Sequence, residues 1–431
     1  MLENYIFADD ALSRELRGAL IERAAAGVRV CVVRDWLGCL GESSDRFWGA
    51  LRAAGGEVRT YNPLRFTRPF GWLSRDHRKL LVVDSDVGFV SGVCISAKWL
   101  GDPARKIAPW RDTGVAVRGP ALRDLAIAFA DVWARLGESL PADLPALVDE
   151  PARAGDVDLR VVATLPNTTD LYRLDQMIAA IAQRFLWLTD AYFVGTAPYV
   201  QSLVAAARDG VDVRLLVPGT SDLPGVGALS RSGYRALLEA GIRVFEWNGS
   251  MIHAKTAVAD GRWARVGSTN LNIASWMGNC EIDVAVEDEP FAQLMQAQYE
   301  QDLRGSTEIV LGARRGTRRI QPHAKAEVQD AGSTRAAAGA MRLASTVGAA
   351  MTGRRVLASS EGGVLVAAAL LLLVVAAVAV FWPRALAWPL AVIAAWLALS
   401  LVSRAIDARR KERTRRNVAP DGRDARREPP A

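Results

Sequence analysis

Two stretches decide the fold: His77-Arg78-Lys79-Leu80-Leu81-Val82-Val83-Asp84 and His253-Ala254-Lys255-Thr256-Ala257-Val258-Ala259-Asp260. Each is a His-x-Lys pair, an apolar run and an aspartate. The second repeats the first at an offset of 176, and so does the following turn, Val90-Ser91-Gly92-Val93-Cys94 against Val266-Gly267-Ser268-Thr269-Asn270. Upstream, NYIFADDALSRELRGALIERAAAGVRVCVV matches DAYFVGTAPYVQSLVAAARDGVDVRLLV. Both read as a strand, a polar turn, an amphipathic helix, a glycine and a β-branched strand. RAAGGEVRTY and EAGIRVFEW then repeat a helix end and a strand. Internal repetition of alternating strands and helices predicts an α/β fold: two pseudo-symmetric lobes with mixed, largely parallel sheets. The second repeat also has a helix around Asp170–Arg184 before its first strand. The first begins almost inside its strand, so a segment upstream is expected to be missing, leaving one sheet face partly uncovered.

Residues two apart on a strand share a face, so each His-x-Lys should present an imidazole and an ammonium together. Lysine supplies a compact charge for phosphoryl oxygens. Histidine can attack phosphorus or carry a proton near neutral pH. Two copies around one phosphodiester give a nucleophile and a general acid for the leaving alcohol. This chemistry requires no metal, no metal-ligand cluster is visible in the sequence, and no cofactor is expected. The chain has 3 His and 6 Lys, against 47 Arg, so two coincident His-x-Lys pairs are not accidental. Asp84 and Asp260 end apolar runs and fit structural turns better than chemistry. His323 reads as a solvated linker residue. Pro224–Ser230 lacks the full pattern of a phosphate loop.

The 431 residues suffice for two ordinary domains. The net charge of +6 conceals a split. Residues 311–431 hold 20 Lys+Arg against 8 Asp+Glu, while residues 1–310 hold 33 against 39. An acidic main body argues against a nucleic-acid partner. Four cysteines without a CxxC exclude a disulfide scaffold and a zinc or redox motif. The start, MLENYIFADD, has no signal-peptide pattern. Val364–Trp382 and Ala385–Val402 are uncharged runs of near-spanning length separated by Pro383-Arg384. Arginines flank the pair, which predicts a transmembrane hairpin with both ends cytoplasmic. A re-entrant hairpin or a buried soluble one are the alternatives. The expected organisation is lobe 1 at 1–145, lobe 2 at 155–310, a basic linker at 311–360, the hairpin at 361–403 and a basic disordered tail at 404–431. Leu64–Asp76 has no counterpart in the second repeat. With Phe66, Phe70, Trp72, Arg65, Arg68 and Arg75 it reads as a lipid-facing loop, or as one packed on its own aromatics.

The paired His-x-Lys-x-x-x-x-Asp motifs, each followed by a Gly/Ser turn, resemble the phospholipase D superfamily. The first-repeat sequence, WRDTG at Trp110–Gly114 and SDLPGVGALSRSGYRALLEAGIRVFEW are similar to bacterial cardiolipin synthases, over about residues 1–310. The resemblance implies a site between the lobes, with His77 and His253 as nucleophile and general acid/base and Lys79 and Lys255 on the phosphate. It implies phosphate contacts from Ser268 and Asn270, and orienting carboxylates at Asp112 and Glu281. Cys94 and Ser91 depart from the usual Asn and Gly of the first motif. The family's membrane helices are N-terminal, whereas this chain's apolar hairpin is C-terminal. The expected function is a membrane-anchored phosphatidyltransferase at a bacterial inner membrane, making cardiolipin from phosphatidylglycerol through a phosphohistidine. The rivals are a phospholipase D releasing phosphatidic acid, a nucleic-acid phosphodiesterase and a non-catalytic membrane-tethered binding module. Oligomeric state is left open.

Overall fold

The structure, a computed structural model, describes residues 1–65, 71–142, 144, 147, 151–311, 317–319 and scattered helical positions between 370 and 402. Contacts divide the chain into two units. One is Met1–Pro63 with Leu73–Ala368; the other is Leu64–Trp72 with Ala369–Ala431. The first unit contains both repeats.

The first repeat forms β1 (Leu2–Asn4), α1 (Ala11–Ala25), β2 (Cys31–Asp35), α2 (Gly49–Ala53), β3 (Glu57–Tyr61), β4 (Lys79–Val83), β5 (Val87–Ser91), β6 (Gly114–Val117) and α3 (Ala121–Leu136). Its six strands lie in the order β3-β2-β1-β4-β5-β6. The second repeat opens with β7 (Asp158–Thr164) and α4 (Asp170–Ile181). There follow β8 (Phe185–Thr189), α5 (Ala197–Arg208), β9 (Asp212–Pro218), α6 (Pro224–Glu239), β10 (Arg243–Trp247), β11 (Thr256–Ala259), β12 (Trp263–Gly267), β13 (Glu281–Glu287) and α7 (Glu289–Arg304). The core of its sheet, β10-β9-β8-β11-β12-β13, repeats the first order strand for strand. β7 extends one edge, and β14 (Ser306–Leu311) and β15 (Thr317–Arg319) extend the other. The sheet thus continues past residue 310.

The sheets are mixed, but not largely parallel as the sequence pattern implies. In each lobe only the βαβ crossovers, β1-β2-β3 and β8-β9-β10, give parallel pairs. The remaining pairings are antiparallel, and for β4-β5 and β11-β12 the short turns between the strands allow nothing else. Asp84 and Asp260 sit in those turns with φ of 50° and 54°, a region that Asp tolerates better than bulkier residues. The Asp260 carboxylate also accepts N–H bonds from Gln183, Arg184 and Phe185, tying its turn to the start of β8.

The lobes share a continuous apolar core. Ile282, Val284 and Val286 of β13 cluster with Leu80, Val90, Val117 and Phe129 of lobe 1. Arg78 pins this interface. It is 1% exposed. Its Nε donates to Glu281 O at 3.1 Å, and its terminal nitrogens to Ala128 O at 2.6 Å and Thr164 O at 2.8 Å. Its counterpart in the second motif is Ala254, so the pin is single. In lobe 2, α4 covers the sheet through Leu171, Ile178 and Ala179. Among the described residues lobe 1 has no such helix. An apolar cavity of about 400 Å³ lies there, lined by Met1, Leu2, Leu20, Val30, Leu81 and Val83.

The hairpin expected at 361–403 falls mostly outside the described residues, and the tail at 404–431 wholly so. No helix among the described residues is long and apolar enough to cross a membrane. The described positions between 370 and 402 are helical, and Leu373, Val380, Phe381 and Trp388 expose their apolar side chains.

Removing a buried, fully bonded cation leaves its acceptors stranded. Arg78→Met is therefore expected to cost about 3–5 kcal/mol of stability, read by urea unfolding. A loss under about 1 kcal/mol would show that the guanidinium is not what joins the lobes.

Candidate active site

His77 and His253 do not lie within strands, as strict alternation along β4 and β11 would require. Each occupies the extended segment entering its strand, where its backbone pairs with the opposite lobe. His77 N–H donates to Cys280 O at 2.9 Å, and Cys280 N–H to Arg75 O at 2.8 Å. Likewise His253 N–H donates to Arg111 O at 2.7 Å, and Arg111 N–H to Met251 O at 2.8 Å. Cys280 precedes Glu281, and Arg111 precedes Asp112. Each short bridge therefore sets a carboxylate beside the other lobe's histidine.

The resulting pairs are crossed. His77 Nδ1 lies 3.0 and 3.1 Å from the Glu281 oxygens. His253 Nδ1 lies 2.9 Å from Asp112 Oδ2. Both histidines are buried, at 6% and 3% exposure. Burial first, and neighbouring lysines next, push His77 down to about 3 and His253 down to about 4, although the carboxylates pull the other way. Burial pushes both carboxyls up, but the paired histidine and the lysines outweigh it and hold them below their ordinary range. The resting site thus has neutral imidazoles and ionised carboxylates. An ionised carboxylate only accepts, so Nδ1 carries the proton and Nε2 keeps its lone pair.

Lys79 and Lys255 are buried beside the histidines. Each ammonium donates to the backbone carbonyl of its own histidine. Lys255 Nζ also lies 3.0 Å from the His253 ring nitrogens. Tyr5 and Tyr192 stand under Lys79 and Lys255 at 5.2 and 5.7 Å. Among the described residues neither lysine pairs with a carboxylate within 4 Å. Burial, against the pull of Asp112 but helped by Lys79, lowers Lys255 to about 8. Two confined ammoniums without counter-ions make a site that an anion completes.

The remaining candidates divide. Asn270 is 3% exposed, and among the described residues its Oδ1 has no partner; the amide Nδ2 is the atom that could donate to a phosphate. It remains a candidate for phosphate. Ser268, read from its position as a second phosphate contact, is fully buried behind Glu281. Its hydroxyl donates to Glu281 Oε2 at 2.6 Å and accepts from Ile282 N–H at 3.0 Å, so it fixes the carboxylate instead. Gly92 is its counterpart, and a Cβ there would lie 2.2 Å from Asp112 Oδ1. Asp112 takes its second bond from Trp99 Nε1 at 2.8 Å. Cys94 is buried, within electrostatic reach of Lys79 and Lys255.

Arg75, expected in a lipid-facing loop, turns inward. Burial opposes its charge, but Tyr5, Asp35 and Glu281 around it favour that charge. Phe66, Arg68, Phe70 and the Trp72 side chain lie outside the described residues. Sequence reasoning also missed Arg111, whose Nε donates to Asp302 Oδ1 of α7 at 2.9 Å and so braces the Asp112 segment. It missed Tyr5, although that residue lies inside the aligned repeat.

A family model described as the phospholipase D-like domain of cardiolipin synthase matches residues 175–303. Cardiolipin synthase A of Pseudomonas aeruginosa is 35% identical over 327 residues, covering 74% of this chain and 65% of that protein. A cardiolipin synthase of Clostridium perfringens is 31% identical over 326 residues, covering 72% and 66%. The chain thus spans just under two thirds of the length of these relatives. A phosphatidylserine synthase of Haemophilus influenzae shares the fold, with a TM-score of 0.55, 16% identity and coverage of 71% of this chain and 81% of that one. Twin His-x-Lys motifs on duplicated lobes and the cardiolipin synthase likenesses define the class: the chain is phospholipase D-like. Within that class it is a cardiolipin synthase-like protein.

Lys255 is charged below about pH 8 and neutral above it. Inorganic phosphate, titrated calorimetrically, should therefore bind below that pH and weaken as pH rises through it. Lys255→Arg should keep the affinity into the alkaline range. Affinity flat across pH 7–9 in wild type would remove Lys255 from the anion site.

Proposed function

We propose that the chain is a phosphatidyltransferase that joins two phosphatidylglycerol molecules into cardiolipin and glycerol. The observation that carries this is the pair of carboxylate-held imidazoles facing two ammoniums without counter-ions. In the first step one Nε2 attacks the phosphorus of phosphatidylglycerol, and the bond from phosphorus to the glycerol headgroup oxygen breaks. The other imidazole, which takes up a proton from solvent as the anionic substrate binds, gives that proton to the departing oxygen. The incoming phosphate and the bound carboxylate both favour the imidazolium that burial otherwise disfavours. In the second step a hydroxyl of another phosphatidylglycerol attacks the phosphatidyl-histidine. Its proton passes to the neutral imidazole, the P–N bond breaks, and cardiolipin leaves. Lys79 and Lys255 bear on the non-bridging oxygens throughout. His77, Lys79, His253 and Lys255 are the catalytic residues of this reading. Asp112 and Glu281 orient the imidazoles, and Asn270 meets the phosphate.

The C-terminal apolar segment anchors the enzyme to a bacterial cell membrane, with the lobes on the cytoplasmic side. Exposed apolar side chains on described helical positions such as Leu373 and Phe381 support this.

The test is a lipid assay on the full chain in phosphatidylglycerol membranes, with cardiolipin, phosphatidic acid and glycerol resolved. Cardiolipin with equal glycerol is expected, and neither His77→Ala nor His253→Ala should form it. Glu281→Gln should lose about 10²–10⁴-fold in kcat while the fold persists. Phosphatidic acid as the main product would replace transfer by hydrolysis at the same site.

A further inference from the structure

The two histidines differ in what surrounds them. Among the described residues His77 has one aromatic neighbour, Tyr5, with ring centres 5.0 Å apart. His253 has three: Trp99 at 5.1 Å, Trp110 at 5.8 Å and Tyr192 at 5.7 Å. Trp99 and Trp110 also pack on each other at 4.5 Å. Both tryptophans come from lobe 1 and reach across to the histidine of lobe 2. They ride on the stretch between β5 and β6, Gly92–Thr113, which is longer than its counterpart, Ser268–Cys280. The tryptophan of that counterpart, Trp276, stays in its own lobe and donates to Asp175. Duplication alone therefore does not account for the collar; the longer stretch brings its two tryptophans to His253, and among the described residues nothing comparable stands at His77.

We propose that Trp99, Trp110 and Tyr192 form a collar that selects a lipid hydroxyl over water as acceptor. This deepens the transferase reading and rests on it. Either acceptor breaks its O–H bond, forms an O–P bond and expels the imidazole, whose P–N electron pair returns to nitrogen. The proton goes to the other imidazole. Water gives phosphatidic acid, a lipid hydroxyl gives cardiolipin, and the enzyme returns to one state. The partition depends on which oxygen arrives. Ring faces give water few hydrogen bonds, whereas indoles suit the level of lipid headgroups. Trp99 also holds Asp112 through its Nε1, so replacing it would disturb the histidine. Trp110 is half-buried at the rim and makes its backbone bond to Trp99 O, which makes it the residue to test.

The readout is the ratio of phosphatidic acid to cardiolipin, which is independent of the fraction of enzyme folded. It is measured with the full chain in phosphatidylglycerol vesicles. Trp110→Ala should raise the ratio about tenfold, and Trp110→Phe should leave it close to wild type. Trp110→Gln, a polar replacement, should move it in the same direction as Ala. A lower rate at an unchanged ratio in both the Ala and Gln variants overturns the collar and leaves the transferase reading standing. Wild type that forms only phosphatidic acid overturns both.

Discussion

The crossed histidine–carboxylate pairs are the constraint on which this structure depends. His77 of lobe 1 is held by Glu281 of lobe 2, and His253 of lobe 2 by Asp112 of lobe 1. Neither repeat owns a complete catalytic unit. Burial alone would leave each imidazole neutral and free to rotate. The carboxylate from across the interface fixes its tautomer and would stabilise the charge that the proposed phosphoryl transfer places on it. The apolar core shared by β13 and lobe 1 is what makes this possible, because it lets two ionised groups sit in a nearly dry interface.

Duplication supplied the frame, and divergence then separated the two halves. Glu281 is braced by the hydroxyl of Ser268 and by Asn279 Nδ2 at 3.2 Å. Asp112 is shorter, faces a glycine where Ser268 would be, and is braced by an indole instead. Asn270 in one half corresponds to Cys94 in the other. These exchanges preserve the oriented imidazole while changing what lines it. The two halves thus differ around their imidazoles, a difference that the proposed reaction would use in assigning one as nucleophile and the other as proton carrier.

Much of this was legible in the sequence because it is encoded locally. The repeat, the His-x-Lys pairs and the turn aspartates depend on residues a few positions apart. What escaped depends on distant chain segments meeting. The crossing of the pairs is set by backbone bridges at Cys280 and Arg111, whose side chains carry no signal of it. Ser268 was placed correctly in the repeat but given the wrong neighbour, since position does not reveal side-chain direction. Arg75 resembled its basic loop, yet buried acceptors around Tyr5 and Asp35 draw it inward. The sheets read as largely parallel because helices between strands dominate the pattern, while the tight turns that reverse β5 and β12 are short.

Arg78 bears on how the molecule moves. A hinge requires an interface that can part and close again at small cost. Parting these lobes would strip one guanidinium of two carbonyls, those of Glu281 and Thr164, and separate two imidazole–carboxylate pairs. The bonds across the interface therefore hold the two lobes as one compact unit. On the proposed reaction, the carboxylate-held imidazoles would thus be in place before substrate arrives and would not need a closure of the lobes to assemble them.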